Sequence, residues 1–165
     1  MQLDDRFQLV NMCDRRICVG QKDTAQVIFI EPLEQIAFMW HDGSKPKLLR
    51  VKLGEDKWLW SGAFEIKEVS LFEVVMKKES GVRCRMLLQT TTDAPVTALI
   101  FRPSTSNFSI YRLVNSTRAP IWIRQVGVER EEGEWLNPKE NSSFAWPEPS
   151  LPQLRVSLSF GKGAL

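Results

Sequence analysis

Two asparagines stand out among the residues that could do chemistry. Asn11 and Asn115 each close a short β-type run, Phe7-Gln8-Leu9-Val10 and Tyr111-Arg112-Leu113-Val114. An amide carries two donors and an acceptor with two lone pairs. At a strand end it can clamp a neighbouring loop through side-chain-to-backbone bonds, or it can face a bound peptide. Hydrophobic packing accounts for neither asparagine. The remaining candidates read more plainly. His41 is the only histidine and precedes Asp42, an arrangement of base and orienter, yet Asp42-Gly43-Ser44 is also a turn sequence. Trp58-Leu59-Trp60 would set two indoles on one face of a strand, as a sugar or peptide platform or as core. Glu129-Arg130-Glu131-Glu132-Gly133-Glu134 lacks the ordered oxygen spacing of a calcium loop and reads as a solvated hairpin tip. Cys13, Cys18 and Cys84 are odd in number, and no second pair completes a zinc site. No phosphate-binding loop, Gly-x-Gly-x-x-Gly or Gly-x-Ser-x-Gly elbow occurs, and Gly161-Lys162-Gly163 lacks a strand-loop-helix frame. The expectation is a protein without catalytic residues, metal or cofactor.

The 165 residues are 43% hydrophobic and 25% charged, ordinary globular usage that argues against disorder. A net charge of +2 leaves no electrostatic footprint for nucleic acid or an anionic membrane. No apolar run approaches a membrane span, and Met1–Arg6 has no signal-peptide character. The triplets Asn107-Phe108-Ser109, Asn115-Ser116-Thr117 and Asn141-Ser142-Ser143 then read as chance matches to a glycosylation pattern. A reduced, cytosolic setting is expected, with no membrane insertion.

The elements that must position these side chains are strands. Gln26–Ile30, Lys47–Leu53, Val96–Phe101, Ser109–Val114, Pro120–Gln125 and Leu154–Phe160 are short, β-branched or aromatic, and bounded by turn residues about every ten positions. Ile66–Lys78 has apolar spacing that a helix could use, but its valines favour two strands. The class is all-β, an antiparallel β-sandwich.

An internal repeat organises the chain. Beyond the two asparagine runs, Ile17 and Gln21 match Ile121 and Gln125. Pro32, Glu34, Phe38 and Trp40 match Pro138, Glu140, Phe144 and Trp146, and Leu49–Leu53 matches Leu154–Leu158. Retention of Trp40 and Trp146 in both copies marks them as equivalent core positions. The period is roughly one hundred residues, a whole small β-domain. About one and a half copies are therefore expected: residues 1–110 as a complete repeat and 111–165 as the first half of a second. The alternative is 1–165 as one compact β domain, with the two matching parts flanking Trp58–Arg102.

The second copy, with Tyr111-Arg112-Leu113-Val114-Asn115, Ile123-Arg124-Gln125, Leu136-Asn137-Pro138 and Phe144-Ala145-Trp146-Pro147-Glu148-Pro149, resembles the adaptor-binding repeats of the vacuolar protein sorting-associated protein 13 family. Those repeats show an aromatic-hydrophobic-Asn start, an Arg-Gln strand, a Leu-x-Pro turn and a Phe-x-Trp-x-x-Pro signature. Trp60-Ser61-Gly62-x-Phe64 is similar to the stretch that opens their second half. In the first copy His41-Asp42-Gly43 replaces Pro-Glu-Pro, and Gly20 stands where Arg124 stands. The resemblance implies a row of β-sandwich repeats within a long, bridge-like lipid transfer protein. It implies docking of organelle adaptors through Pro-x-Pro peptides, and so placement of the protein at membrane contact sites such as those of endosomes, Golgi or mitochondria. It also implies that the repeat asparagine, here Asn11 and Asn115, is needed for adaptor binding. Neighbouring repeats would be its other partners. Two rival readings are a structural repeat without its own ligand and a carbohydrate-binding sandwich using Trp58, Trp60 or Trp135.

Overall fold

The computed structural model describes residues 6–67, 69–93, 95–105, 109–128, 133–151 and 156–160. The tip residues Glu129–Glu132, Asn107 and Phe108, Leu154 and Arg155, and Gly161–Gly163 lie outside them. All regular structure among the described residues is β, and no helix there is long and apolar enough to cross a membrane.

The first copy contributes β1 (Arg6–Asn11), β2 (Ile17–Gln21), β3 (Ile28–Ile30), β4 (Gln35–Phe38) and β5 (Leu49–Leu53). A meander follows: β6 (Ser70–Lys77), β7 (Arg83–Asp93) and β8 (Val96–Pro103). The second copy contributes β9 (Tyr111–Val114), β10 (Ile121–Gln125), β11 (Gly133–Leu136), β12 (Asn141–Phe144) and β13 (Val156–Phe160). Pairing repeats between the copies. β1 pairs β4 with Phe7 opposite Phe38, and β9 pairs β12 with Tyr111 opposite Phe144. β2 sits between β3 and β5, and β10 sits between β11 and β13. Ile17 faces Ile30 and Leu53; Ile121 faces Leu136 and Phe160.

The meander joins the sheet of the first copy. It extends that copy's sheet to the order β4-β1-β8-β7-β6, with β8 added to β1 in parallel. Inward residues of this sheet (Leu9, Val74, Met76, Leu88, Leu99, Phe101) meet Ile17, Val19, Leu49 and Val51 of the facing sheet in the main core. Alternation along each strand dictates the layers: in β5, Leu49, Val51 and Leu53 are buried while Arg50 and Lys52 are not. The second copy keeps a small core of Ile121, Ile123, Leu136 and Phe144. No second meander faces it among the described residues.

Three expectations change. Ile66–Lys78 holds one strand rather than two: β6 begins at Ser70, and Val69 is exposed at its entry. Trp58-Leu59-Trp60 is not a strand; Trp58 makes one isolated bridge to Lys78. The last matched block is displaced by two residues. Gln21 faces Leu49 and Gln125 faces Val156, so Leu49 corresponds to Val156 rather than to Leu154. A two-residue slip preserves the inward–outward pattern, which is why the sequence conceals it.

Candidate functional site

Both asparagines are sealed inside the chain, at 0% and 1% exposure. Asn11 Nδ2 donates to the carbonyls of Arg15 (2.9 Å), Ile30 (3.0 Å) and Glu31 (3.1 Å), and its Oδ1 accepts the N–H of Cys13 (2.9 Å). Asn115 Nδ2 donates to the carbonyls of Ala119 (2.8 Å) and Leu136 (2.9 Å), while Oδ1 accepts the N–H and hydroxyl of Thr117. Each amide thus ties its own strand end to the loop that follows and to the end of β3 or β11. With both N–H donors of each amide used inside the chain, neither asparagine has a donor left to offer a ligand. Asn115 is the clamp at the end of β9.

The matched prolines and glutamates explain themselves nearby. Pro32 and Pro138 precede Leu33 and Lys139, whose φ values are 63° and 61°. That is a type II turn with a non-glycine at its left-handed position. The Glu three residues after the turn's first residue closes it: Glu34 Oε2 accepts the N–H of Glu31 and Glu140 Oε2 that of Asn137, both at 2.7 Å.

Gln21 and Gln125 form a second pair of ties. Gln125 accepts the N–H of Glu148 and donates to its carbonyl (2.8 and 2.9 Å), as Gln21 does with Asp42. The two glutamines were legible as a match, but their role as the anchor of the Pro-Glu-Pro segment was not. Glu148 goes further than Asp42. Its Oε1 accepts the backbone N–H of Ala63 (2.8 Å) from the first copy, whereas Asp42 Oδ1 accepts only its own turn's Ser44. That turn holds the Asp42 carboxyl below its usual range, and His41-Asp42 is a turn, with no base and orienter formed. Gly62 permits the close contact, since a Cβ there would lie 1.9 Å from the Pro147 carbonyl oxygen.

Trp40 and Trp146 are equivalent but only half-buried. Trp40 packs edge-on against Phe7 and Phe38, with centroids 6.2 and 5.1 Å apart. Trp146 packs the same way against Tyr111 and Phe144, at 6.1 and 5.0 Å. In the second copy Tyr111 and Trp146 of this set line a cleft of about 450 Å³ between the copies. Phe64, Leu71 and Phe72 form its other wall, with Leu151 at the rim. β6 is the terminal strand of its sheet; Leu59 bonds the Lys77 end of it, while Ser70–Glu73 runs along this cleft without a strand partner beyond β7 among the described residues. Glu73 is buried beside it and accepts the hydroxyls of Ser104 and Ser109. Phe72 and Tyr111 escape a sequence reading because nothing local distinguishes them from core aromatics.

The tryptophan platform does not form. Trp58 is buried, with Arg15 and Lys78 near its ring, and Arg50 lies 4.5 Å from the ring centre of Trp60. Trp135 is exposed on β11, against Trp122. The three thiols are free, and burial pushes Cys13 up to about 11, which makes it unreactive.

Residues 1–153 match the family described as vacuolar-sorting associated protein 13, adaptor binding domain. The chain is also 23% identical over 170 residues to Intermembrane lipid transfer protein VPS13D of Homo sapiens. That match covers 96% of this chain but only 4% of the human protein.

Proposed function

The chain belongs to the adaptor-binding domain family of vacuolar-sorting associated protein 13, and from that membership and the inter-copy cleft we propose that it docks Pro-x-Pro peptides of organelle adaptors. The observation that carries this reading is an aromatic cleft set beside an open strand edge. An extended peptide can add to such an edge through main-chain hydrogen bonds while alternate side chains enter pockets. Proline suits this mode, because its preset φ lowers the entropy lost on binding. Phe72, Tyr111 and Trp146 supply flat apolar surface for the two prolines. Asn115 orders the loop and strand that carry Tyr111.

We take residues 1–110 as one whole repeat and 111–165 as the first half of another, with adjoining repeats as further contacts. The module would then choose the membrane contact site at which a cytoplasmic, bridge-like lipid transfer protein works, peripheral to organelles such as endosomes, Golgi or mitochondria. Lipid transfer itself would belong to the rest of that protein.

The matched tryptophans make the test. Trp146→Ala removes a wall of the cleft, and Trp40→Ala makes the same cut away from it. A fluorescent Pro-x-Pro peptide is titrated onto both, with melting curves beside each. The expected result is comparable destabilisation of the two variants but loss of peptide binding in Trp146→Ala alone. Equal binding by both would leave this segment as a scaffold without its own ligand.

A further inference from the structure

A second cleft, of about 280 Å³, lies between the β6–β7 hairpin and the second copy, and the adaptor reading makes no use of it. Its chemistry differs from that of the aromatic cleft. Val75 is opposite Arg85 and Lys77 is opposite Arg83, so these four side chains stand on one face of the hairpin. That face is the one turned away from Val74, Met76 and Met86 of the main core. Lys77, Arg83 and Arg85 all line the cleft, and Arg124 of β10 adds a fourth cation. Among the described lining residues the one carboxylate is Glu134, 3.7 Å from Arg83. Burial raises its carboxyl, against the opposing pull of Arg83 and Arg85. Arg85 Nη1 is buried with no hydrogen-bond partner. A guanidinium nitrogen taken out of water wants an acceptor, and the described residues provide none there.

We propose that this cleft binds a phosphorylated side chain of a protein partner, with the phosphate on Arg85 and Lys77 and its stem against Val75, Ile123 and Phe144. Charge favours phosphate over carboxylate. One carboxylate would offset a single cation, whereas a phosphate offsets more, bringing about −1.5 to −2 at neutral pH and three strong acceptors. The fork of Arg85 suits such an anion. Val75, Ile123 and Phe144 would pack against an apolar stem, which a sugar or inositol headgroup lacks, beside the polar Gln125, Ser142 and Ser143 of the same lining. The first copy has no equivalent: Gly20 replaces Arg124, and a Cβ at Gly20 would lie 2.2 Å from the Gln26 carbonyl oxygen.

Inorganic phosphate, phenyl phosphate and phosphatidylcholine vesicles carrying a phosphoinositide are titrated onto the full chain by calorimetry. Phenyl phosphate is expected to bind saturably and about tenfold more tightly than inorganic phosphate, the effect of burying part of a ring. Arg85→Gln and Lys77→Gln should each weaken it about tenfold, with Pro-x-Pro binding unchanged; if one variant melts early, the other decides. Absence of saturable phenyl phosphate binding would overturn the site. So would undiminished affinity in both folded variants. Equal affinity for the two phosphates would overturn the apolar stem. Vesicle binding that needs Arg85, without phenyl phosphate binding, would give the site to a membrane instead.

Discussion

The two copies share strand order, asparagine clamp, proline turn and glutamine tie, yet they differ in closure. Val51 and Leu53 are 0% and 2% exposed, whereas Leu158 and Phe160, at the same register, are 58% and 63% exposed. The difference lies in what faces them. In the first copy the β6–β8 meander covers the inward residues and adds β8 along β1. In the second, β9 pairs only with β12 among the described residues. Local sequence therefore builds the half-sandwich and its turns, while the core depends on the layer laid across it. The same scaffold can then serve two purposes, a closed core in one copy and a wall of the inter-copy cleft in the other.

The largest test of that contrast is a leucine cut at equivalent points. Leu9 and Leu113 each stand two residues before the clamping asparagine, but Leu9 is in the main core and Leu113 is only partly buried. Leu9→Ala should cost about 2–5 kcal/mol, and Leu113→Ala clearly less. Denaturant unfolding of both variants checks it, and equal losses would mean that the second copy is as tightly closed as the first.

The junction between the copies comes next. Gly62→Ala would drive a Cβ into the Pro147 carbonyl and Glu148, at about 1–3 kcal/mol for forced backbone movement. It should also weaken Pro-x-Pro binding, because the cleft draws walls from both copies. At Gly43 nothing lies within 4 Å of an added Cβ, so Gly43→Ala should leave both readouts near wild type. Tight peptide binding by a destabilised Gly62→Ala would detach the ligand from the junction.

The asparagines separate stability from binding. Asn115→Ala would take a donor from the carbonyls of Ala119 and Leu136 and the acceptor from the N–H of Thr117; Asn11→Ala would take a donor from the carbonyls of Arg15, Ile30 and Glu31 and the acceptor from the N–H of Cys13. Each should cost about 1–3 kcal/mol in thermal melts. Peptide capture should fail only in Asn115→Ala, since Asn11 steadies an edge that β8 already fills. Capture by Asn115→Ala equal to wild type would remove this residue from the binding account.

Much of this architecture was legible because packing and turn chemistry are local. The asparagine runs, the Pro-x-Glu turns and the Phe-x-Trp pairs each carry their reason within a few residues. The pairing of β8 with β1 joins positions some ninety residues apart in parallel, and no short pattern encodes such a partner. The clefts were hidden for the same cause: Phe72 shares a cleft with Trp146, and Lys77 with Ser142, only after the copies dock. Trp58-Leu59-Trp60 misled because strand-like spacing says nothing about which neighbours cover a ring.

The smallest effect concerns a single exchange between the copies. Glu134 occupies the position of Ile28: Ile123 faces Glu134 as Val19 faces Ile28. Burial raises the Glu134 carboxyl, opposed by Arg83 and Arg85. A carboxyl that holds its proton more tightly when folded lends stability fully below its unfolded value, about 4.3. That contribution is lost as pH rises through the higher folded value. Glu134→Ile abolishes the titration, so the variant's melting temperature, relative to wild type, should climb from pH 4 to 7. The amplitude should stay within about 1 kcal/mol, since the side chain is partly solvated and Arg83 loses its partner. Asp42 and Glu55, held low by bonds from Ser44 and Arg15, titrate with the opposite sign. They are common to both proteins and cancel in the difference. A difference that is flat, or that shrinks toward pH 7, would show that Glu134 is matched to its arginines better than Ile28 is to its core.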